Sequence, residues 1–379
     1  MKRLLLPILL LCGACTNTID YDFDKVEPRL MAVGWLEQAS PVQTINISLS
    51  EGGLVKPVDD ARVICSVNGK EVADVSMRME DLPESSYRGM LSTLTDPQYY
   101  QQLPVSFPAA LQPGDKVKLF FEANHGTYKA SSPELTVPDS VTITRVDTAR
   151  VTVQHTDWTD RYLQVQADVP DRKDEDNWYS ISLREISEGT YSFLDGGPDL
   201  SVSVDLPRNM MDLDDPILLD GNISQVEDLQ LFNYSGNGAF ACFSDRLFRD
   251  GTAHLRMNAF SSWNNEGPDF MFLGEEVLRR YGDAETKARG FERCRADHRL
   301  EIRLSHCSRE AYFYLRALRT ISSNGYEPAI VEPVTVPSNI EGGVGFVDIV
   351  NTAVARIDLP SEEVYYGDGL FPYLLCSFM

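Results

Sequence analysis

The residues best suited to chemistry are few and scattered. Cys294, His298, His306 and Cys307 lie close together in the chain, and thiolate with imidazole is a zinc-type donor set. Such donors must converge within about 2–2.3 Å of one ion. His298 and His306 instead flank Leu300, Ile302 and Leu304 at one strand parity, and eight residues of strand rise roughly 26 Å. The two rings cannot reach one ion unless the strand breaks, so no metal site is expected. Asp212, Asp214, Asp215 and Asp220 lead into Gly221-Asn222, and Asp168, Asp171, Asp174, Glu175 and Asp176 form a second acidic group. Calcium takes 6–8 oxygen ligands, but neither group follows the EF-hand order, and solvated loops fit both better. His125, His155 and His254 stand isolated in the sequence, and no G-x-S-x-G signature marks a nucleophile. Ser338 to Phe346 is glycine-dense. A phosphate cradle needs a following Lys-Ser/Thr on a helix, whereas Val347-Asp348-Ile349-Val350 follows and Glu341 would repel phosphate. This stretch is predicted to be a tight turn or bulge beside a strand. No catalytic residue, metal or cofactor is assigned, and the protein is expected not to be an enzyme.

The position with assignable chemistry is Cys15. Lys2 and Arg3 form a positive start, Leu4 to Leu11 an apolar run broken only by Pro7, and Gly13-Ala14 precede the cysteine. The run is too short for a bilayer core of roughly 30 Å, which needs about 20 residues, so it has the form of an export signal. The small-small-Cys ending resembles a lipobox, in which residues 1–14 are removed and Cys15 carries lipid. Cys12 stands where such boxes usually have Leu. Residues 15–27 have the character of a tether, with Asp20, Asp22, Asp24 and Glu27 set among Tyr21 and Phe23. An acidic patch there resembles a surface-export tag, with an ordinary acidic linker as the alternative.

The formal net charge of −23 argues against nucleic acid and against electrostatic adhesion to anionic membrane. Removing residues 1–14 takes away two cations and no acid, so the remainder is near −25. Of seven cysteines, removal of Cys12 and lipidation of Cys15 leave Cys65, Cys242, Cys294, Cys307 and Cys376. An odd set requires at least one free thiol, and the pairing stays open.

The elements that must position all this are strands. Ile45, Ile47 and Leu49 alternate with polar residues, and Ala61, Val63, Cys65 and Val67 share a face. Asn68-Gly69 then predicts a type I′ hairpin, with Ala73, Val75 and Met77 returning. Gln112-Pro113-Gly114-Asp115 predicts a turn before Val117, Leu119 and Phe121, and Pro133 to Pro138 closes this unit. Residues 28–138 are therefore expected to form an immunoglobulin-like β-sandwich. Residues 139–379 form a larger β-rich region. Its strands centre on Leu163–Ala167, Tyr179–Leu183, Ala253–Ala259, Leu300–Leu304 and Ala353–Leu359, with polar stretches such as Glu188 to Gly197 and Asn233 to Gly238 between them. One helix is expected near Glu275 to Tyr281. Another follows Ser308 as N-cap, with Ala311, Tyr314, Leu315 and Leu318 on one face. The class is all-β, mainly antiparallel. Tyr99, Tyr100, Tyr365, Tyr366, Phe371 and Tyr373 stand in loop-like or terminal contexts, as binding surface or as packing.

Several stretches together resemble one family. They are Pro28 to Leu36, Asp174 to Tyr179, Phe243-Ser244-Asp245 and, most specifically, Glu332 to Phe346 with its Ser-Asn-Ile-Glu-Gly-Gly-Val-Gly-Phe ending. The family is domain of unknown function 4249, envelope lipoproteins of Gram-negative bacteria. The resemblance implies a TonB-dependent outer-membrane transporter as partner, the bilayer as anchor through Cys15, and a cell-surface position. It implies capture of a nutrient ligand or a lid over the transporter, and it carries over no catalytic residue. An adhesin or structural envelope protein is the alternative, and a glycan or peptide hydrolase using the acidic loops a third. Asp139-Ser140-Val141 and Asp147-Thr148-Ala149 also look like envelope O-glycosylation sites.

Overall fold

A computed structural model of the chain describes residues 27–52, 54–82, 102–155, 157, 159–172, 175–211, 213–220, 239–248, 251–259, 270–281, 289–322 and 335–366. The alternating segments pair into strands, because a period of two puts every second side chain on one sheet face. The first group is β1 (Arg29–Glu37), β2 (Val42–Glu51), β3 (Leu54–Lys56), β4 (Asp60–Val67), β5 (Lys70–Arg78), β6 (Leu103–Pro108), β7 (Lys116–Ala123), β8 (Tyr128–Ser131) and β9 (Leu135–Thr136). A five-stranded sheet of β5, β4, β7, β8 and β9 faces the β1, β2, β3 and β6 portion of a larger sheet. Leu30, Ile45, Ile47, Val63, Leu103, Phe107, Leu119 and Phe121 fill the space between them, all buried. Each such side chain is worth about 1.5–3 kcal/mol on burial. Asn68 and Gly69 both take positive φ, as a type I′ turn requires. Gly114 does so too, in the turn where the Asp115 amide donates to the Gln112 carbonyl at 3.0 Å. The sandwich expected from the alternation is present.

The second group comprises β10 (Arg145–Gln154), β11 (Thr159–Pro170), β12 (Trp178–Phe193), β13 (Leu200–Arg208), β14 (Met210–Met211), β15 (Phe240–Ser244), β16 (Thr252–Ala259), α1 (Phe270–Tyr281), β17 (Phe291–Cys307), α2 (Arg309–Ser322) and β18 (Val344–Tyr365). A four-stranded sheet in the order β10-β11-β16-β14 covers one face of β12, β17 and β18. Tyr179, Ile181, Leu183, Leu255, Met257, Leu300 and Ile302 form the second core. Both expected helices are found. The Ser308 hydroxyl accepts the Ala311 amide at 3.0 Å, so it is the N-cap of α2. Tyr314 of that helix stacks on Phe346 with centroids 4.3 Å apart.

Two features differ from expectation. The polar composition from Glu188 to Gly197 predicts a connection, yet β12 runs on to Phe193. Glycine and charge there mimic a loop, but Gly189 sits where a side chain would crowd Leu273 of α1. Tyr191 and Phe193 close a third core with Val277 and Phe291. Asn233 to Gly238 lies outside the described residues. The second feature is a parallel pairing that the mainly antiparallel expectation did not place, every other strand pairing among the described residues being antiparallel. Residues 344–350 of β18 run parallel to β1, and residues 351–365 pair antiparallel with β17. One strand of 22 residues, roughly 70 Å long, thus serves both sandwiches and makes a single nine-stranded sheet.

The Ser338–Phe346 stretch starts this shared strand, as a turn beside a strand. Asn339 pairs with both backbone groups of Val347, accepting its amide at 3.0 Å and donating to its carbonyl at 2.7 Å. Gly345 has a φ of 107°, and a Cβ there would overlap the Ala32 carbonyl of β1. The glycines of this motif serve close backbone approach.

Candidate functional site

Two polar places interrupt the second sandwich. The first is internal. β12 and β17 set Ser187 directly opposite His298. The Ser187 Oγ lies 2.9 Å from His298 Nδ1, and Glu185 Oε1 lies 3.6 Å from the same nitrogen. Arg208 Nε donates to Glu185 at 2.9 Å. Burial, and then repulsion from Glu185, push the Glu362 carboxyl up. A nucleophile relay needs serine at one ring nitrogen and the acid at the other. Here both meet Nδ1, and Glu185, Ser187 and His298 are all buried. The arrangement is a row of buried polar groups between two apolar cores, and it is not ordered as a nucleophile relay.

The second place is open. Antiparallel register lines up Arg145, Asp168 and His254 across β10, β11 and β16, and Asp147, Gln166 and Arg256 in the next row. All of these but Asp147 floor a cavity of about 620 Å³, within the size range of small-molecule sites. One wall is Asp215-Pro216-Ile217 and the other Arg246-Leu247-Phe248. Both walls are fixed. Buried Asp215 accepts the Ile217 amide at 2.9 Å, the Leu218 amide at 3.4 Å and the Arg256 amide at 2.9 Å, so it fastens the loop to the free edge of β16. Burial pushes its carboxyl up despite these donors. The opposite turn is held by Asp245, which accepts the Asn177 amide at 2.8 Å, and by Phe248 stacked on Tyr179.

The acids of the cleft are engaged internally: Asp168 holds His254 Nδ1 at 2.7 Å, and Asp215 holds the wall. The arginines are looser. Arg145 pairs with Asp147, Arg256 stands 3.8 Å from Asp214, and Arg246 is exposed and makes no ion pair among the described residues. Pro216, Ile217, Leu247 and Phe248 give the same space an apolar side. The cleft can therefore take a small molecule that is partly apolar and carries a polar head.

Of the candidate residues, Asp168, Asp215 and His254 come together here. Asp220 is drawn away to α2, where it accepts from Tyr312 and from Arg316 at 3.1 Å. Burial first, and Asp220 second, push Tyr312 up to about 12. Asp171, Glu175 and Asp176 lie near Arg172 or in solvent, with Glu175 3.5 Å from Arg172. The histidines that look isolated in sequence each meet an aspartate: His125 with Asp60, His155 with Asp160 and His254 with Asp168. β17 distributes Cys294, His298, His306 and Cys307 along its length. Burial keeps His306 below the ordinary imidazole range and raises Cys294 to about 12. Cys65, Cys242, Cys294 and Cys307 are buried free thiols. Of the aromatics, Tyr365 is exposed and Tyr366 buried. Cys15, Asp174, Asp212, Tyr99, Tyr100, Phe371, Tyr373 and Cys376 lie outside the described residues. Arg145, Arg246, Arg256, Ile217, Leu247 and Phe248 were not foreseen. Alternation marks some of them as outward-facing, but no local pattern says they share a cavity.

Fold and site define an all-β protein of two sandwiches on a shared strand, with a preformed surface cleft. The chain belongs to the family described as domain of unknown function (DUF4249), whose profile matches residues 16–356. Among curated proteins none matches it.

Proposed function

We propose that this is a non-enzymatic lipoprotein of the outer-membrane surface. It is anchored through Cys15 and captures a ligand for a TonB-dependent transporter in nutrient uptake. The observation that carries the reading is the direction of the shared strand. β1 runs parallel to residues 344–350, toward the second sandwich, so Arg29 begins the strand at its end remote from that sandwich. An anchor at this end holds the first sandwich near the membrane and presents the cleft beyond it. The buried Ser187–His298–Glu185 row is not arranged as a serine relay, because its contacts converge on one ring nitrogen. The family resemblance supplies the transporter.

The test is purification of the full chain from native membranes in mild detergent, with mass spectrometry of what accompanies it and Cys15→Ala as control. A β-barrel transporter in stoichiometric amount, lost in the control, is expected. A protein that comes alone, with normal uptake in a deletion strain, would refute the role and favour adhesion.

A further inference from the structure

We infer that the cleft between β16, the 215–217 wall and the 246–248 turn selects small organic anions: a carboxylate or phosphate head on an apolar body. The inference rests on reading this cleft as the capture site and names its ligand class.

The argument begins with charge. The chain carries −23 overall, yet Arg145, Arg246 and Arg256 all line one cavity. In such a background a converging set of cations costs nothing in repulsion from its surroundings, and it attracts counter-charge locally. The acids in the same lining do not cancel this set evenly. Asp215 is committed to three backbone amides and buried, and Asp168 to His254. Neither carboxylate can turn to a ligand without releasing a partner. Arg246 has no such commitment among the described residues, and Arg256 is held only at 3.8 Å. A guanidinium presents a planar fork of donors that matches carboxylate or phosphate oxygens.

Position adds the second half. Leu247, directly after Arg246, is exposed to 37%. Phe248 beside it and Pro216 and Ile217 across the gap complete an apolar wall. A fully hydrated inorganic ion would leave that wall wet. An anion with an apolar body would cover it while its head meets Arg246 and Arg256. Because Asn177, Asp245 and Tyr179 fix the turn, little ordering is needed on binding.

The experiment compares three water-soluble probes of nearly equal shape on the full chain in nonionic detergent: 4-phenylbutyrate, 4-phenylbutanol and 4-phenylbutylamine. Binding is followed by saturation-transfer NMR and equilibrium dialysis. Phenylbutyrate is expected to bind at least ten-fold tighter than the other two, and less tightly as salt rises. Arg246→Ala is expected to weaken it about ten-fold. Arg62→Ala, in the first sandwich, is expected to leave it unchanged. Equal binding of the alcohol or amine, an unaffected Arg246→Ala, or no binding of phenylbutyrate at millimolar concentration would each overturn the anion assignment. The capture role is judged separately, by transporter co-purification and uptake.

Discussion

The two sandwiches solve the same packing problem with different cores. Between its sheets the first buries an unbroken apolar set from Leu30 to Ile349. Its buried Gln43 is fully used, accepting the Glu37 amide and donating to the carbonyls of Glu37, Ser40 and Ala109. The second divides its interior. One apolar cluster surrounds Tyr179 and Leu300, another surrounds Tyr191 and Phe291, and the row of Glu185, Ser187 and His298 lies between them. Its outer sheet also carries the cleft. The difference teaches that the first module closes on a single apolar core, whereas the second sets a row of polar groups between two apolar clusters.

The comparison is broken most forcefully at the strand the two modules share. Gly345→Ala puts a Cβ against the Ala32 backbone at a φ of 107°. It should cost about 3–4 kcal/mol of stability, with both sandwiches unfolding at lower denaturant. Wild-type stability in that variant would show that the two modules do not depend on the parallel pairing. Within the second module, Glu185→Leu removes the buried carboxylate that faces Arg208 Nε and His298 Nδ1 and should cost about 3 kcal/mol. Adding Arg208→Met should recover much of that loss. If it does not, the row does more than balance charge.

The seam between the modules should show in pH. Asp348 is buried beneath α2, where burial first, and Glu310 much less, raise its carboxyl to about 6 against the Ser308 donors that oppose the rise. The folded state therefore binds this proton more tightly than the unfolded chain does. Its contribution is a penalty that is absent below pH 4, grows as pH rises to about 6, and is then constant. It is on the order of 2–3 kcal/mol. Asp348→Asn should remove that slope in urea melts taken from pH 4 to 8. His306 acts in the opposite sense, since burial lowers it and stability is lost as pH falls through the ordinary imidazole range. A smaller effect is expected from Ser308→Ala, about 1 kcal/mol from the lost N-cap, measured by thermal melting. The smallest is His254→Ala. Its exposed pair with Asp168 should contribute under about 0.5 kcal/mol, so a large loss would mean the cleft floor is structural.

Much of this was written locally. The alternation around Ile47, Val63, Val165 and Met257 needs only a period of two, and Asn68-Gly69 needs only positive φ at adjacent positions. Ser308 with Ala311 and Leu315 declares a capped amphipathic helix. The signals that failed were also local. Gly189 and its charged neighbours look like a loop until α1 is placed above them. Each aspartate and histidine of the cleft was visible, but His254 and Asp168 are 86 positions apart. The arginines of the site carry no mark that separates them from other surface cations.

The sequence by itself determined that this chain is all-β, where its turns and helix caps fall, and that it carries a lipobox-like start. Those properties depend on neighbours in the chain. Only the tertiary structure decided that β18 joins β1 in parallel, that Ser187 and Glu185 meet one nitrogen of His298, and that Arg145, Arg246 and Arg256 line one cleft. Those facts depend on strand order and register, which are set by packing between residues hundreds of positions apart and leave no periodic trace.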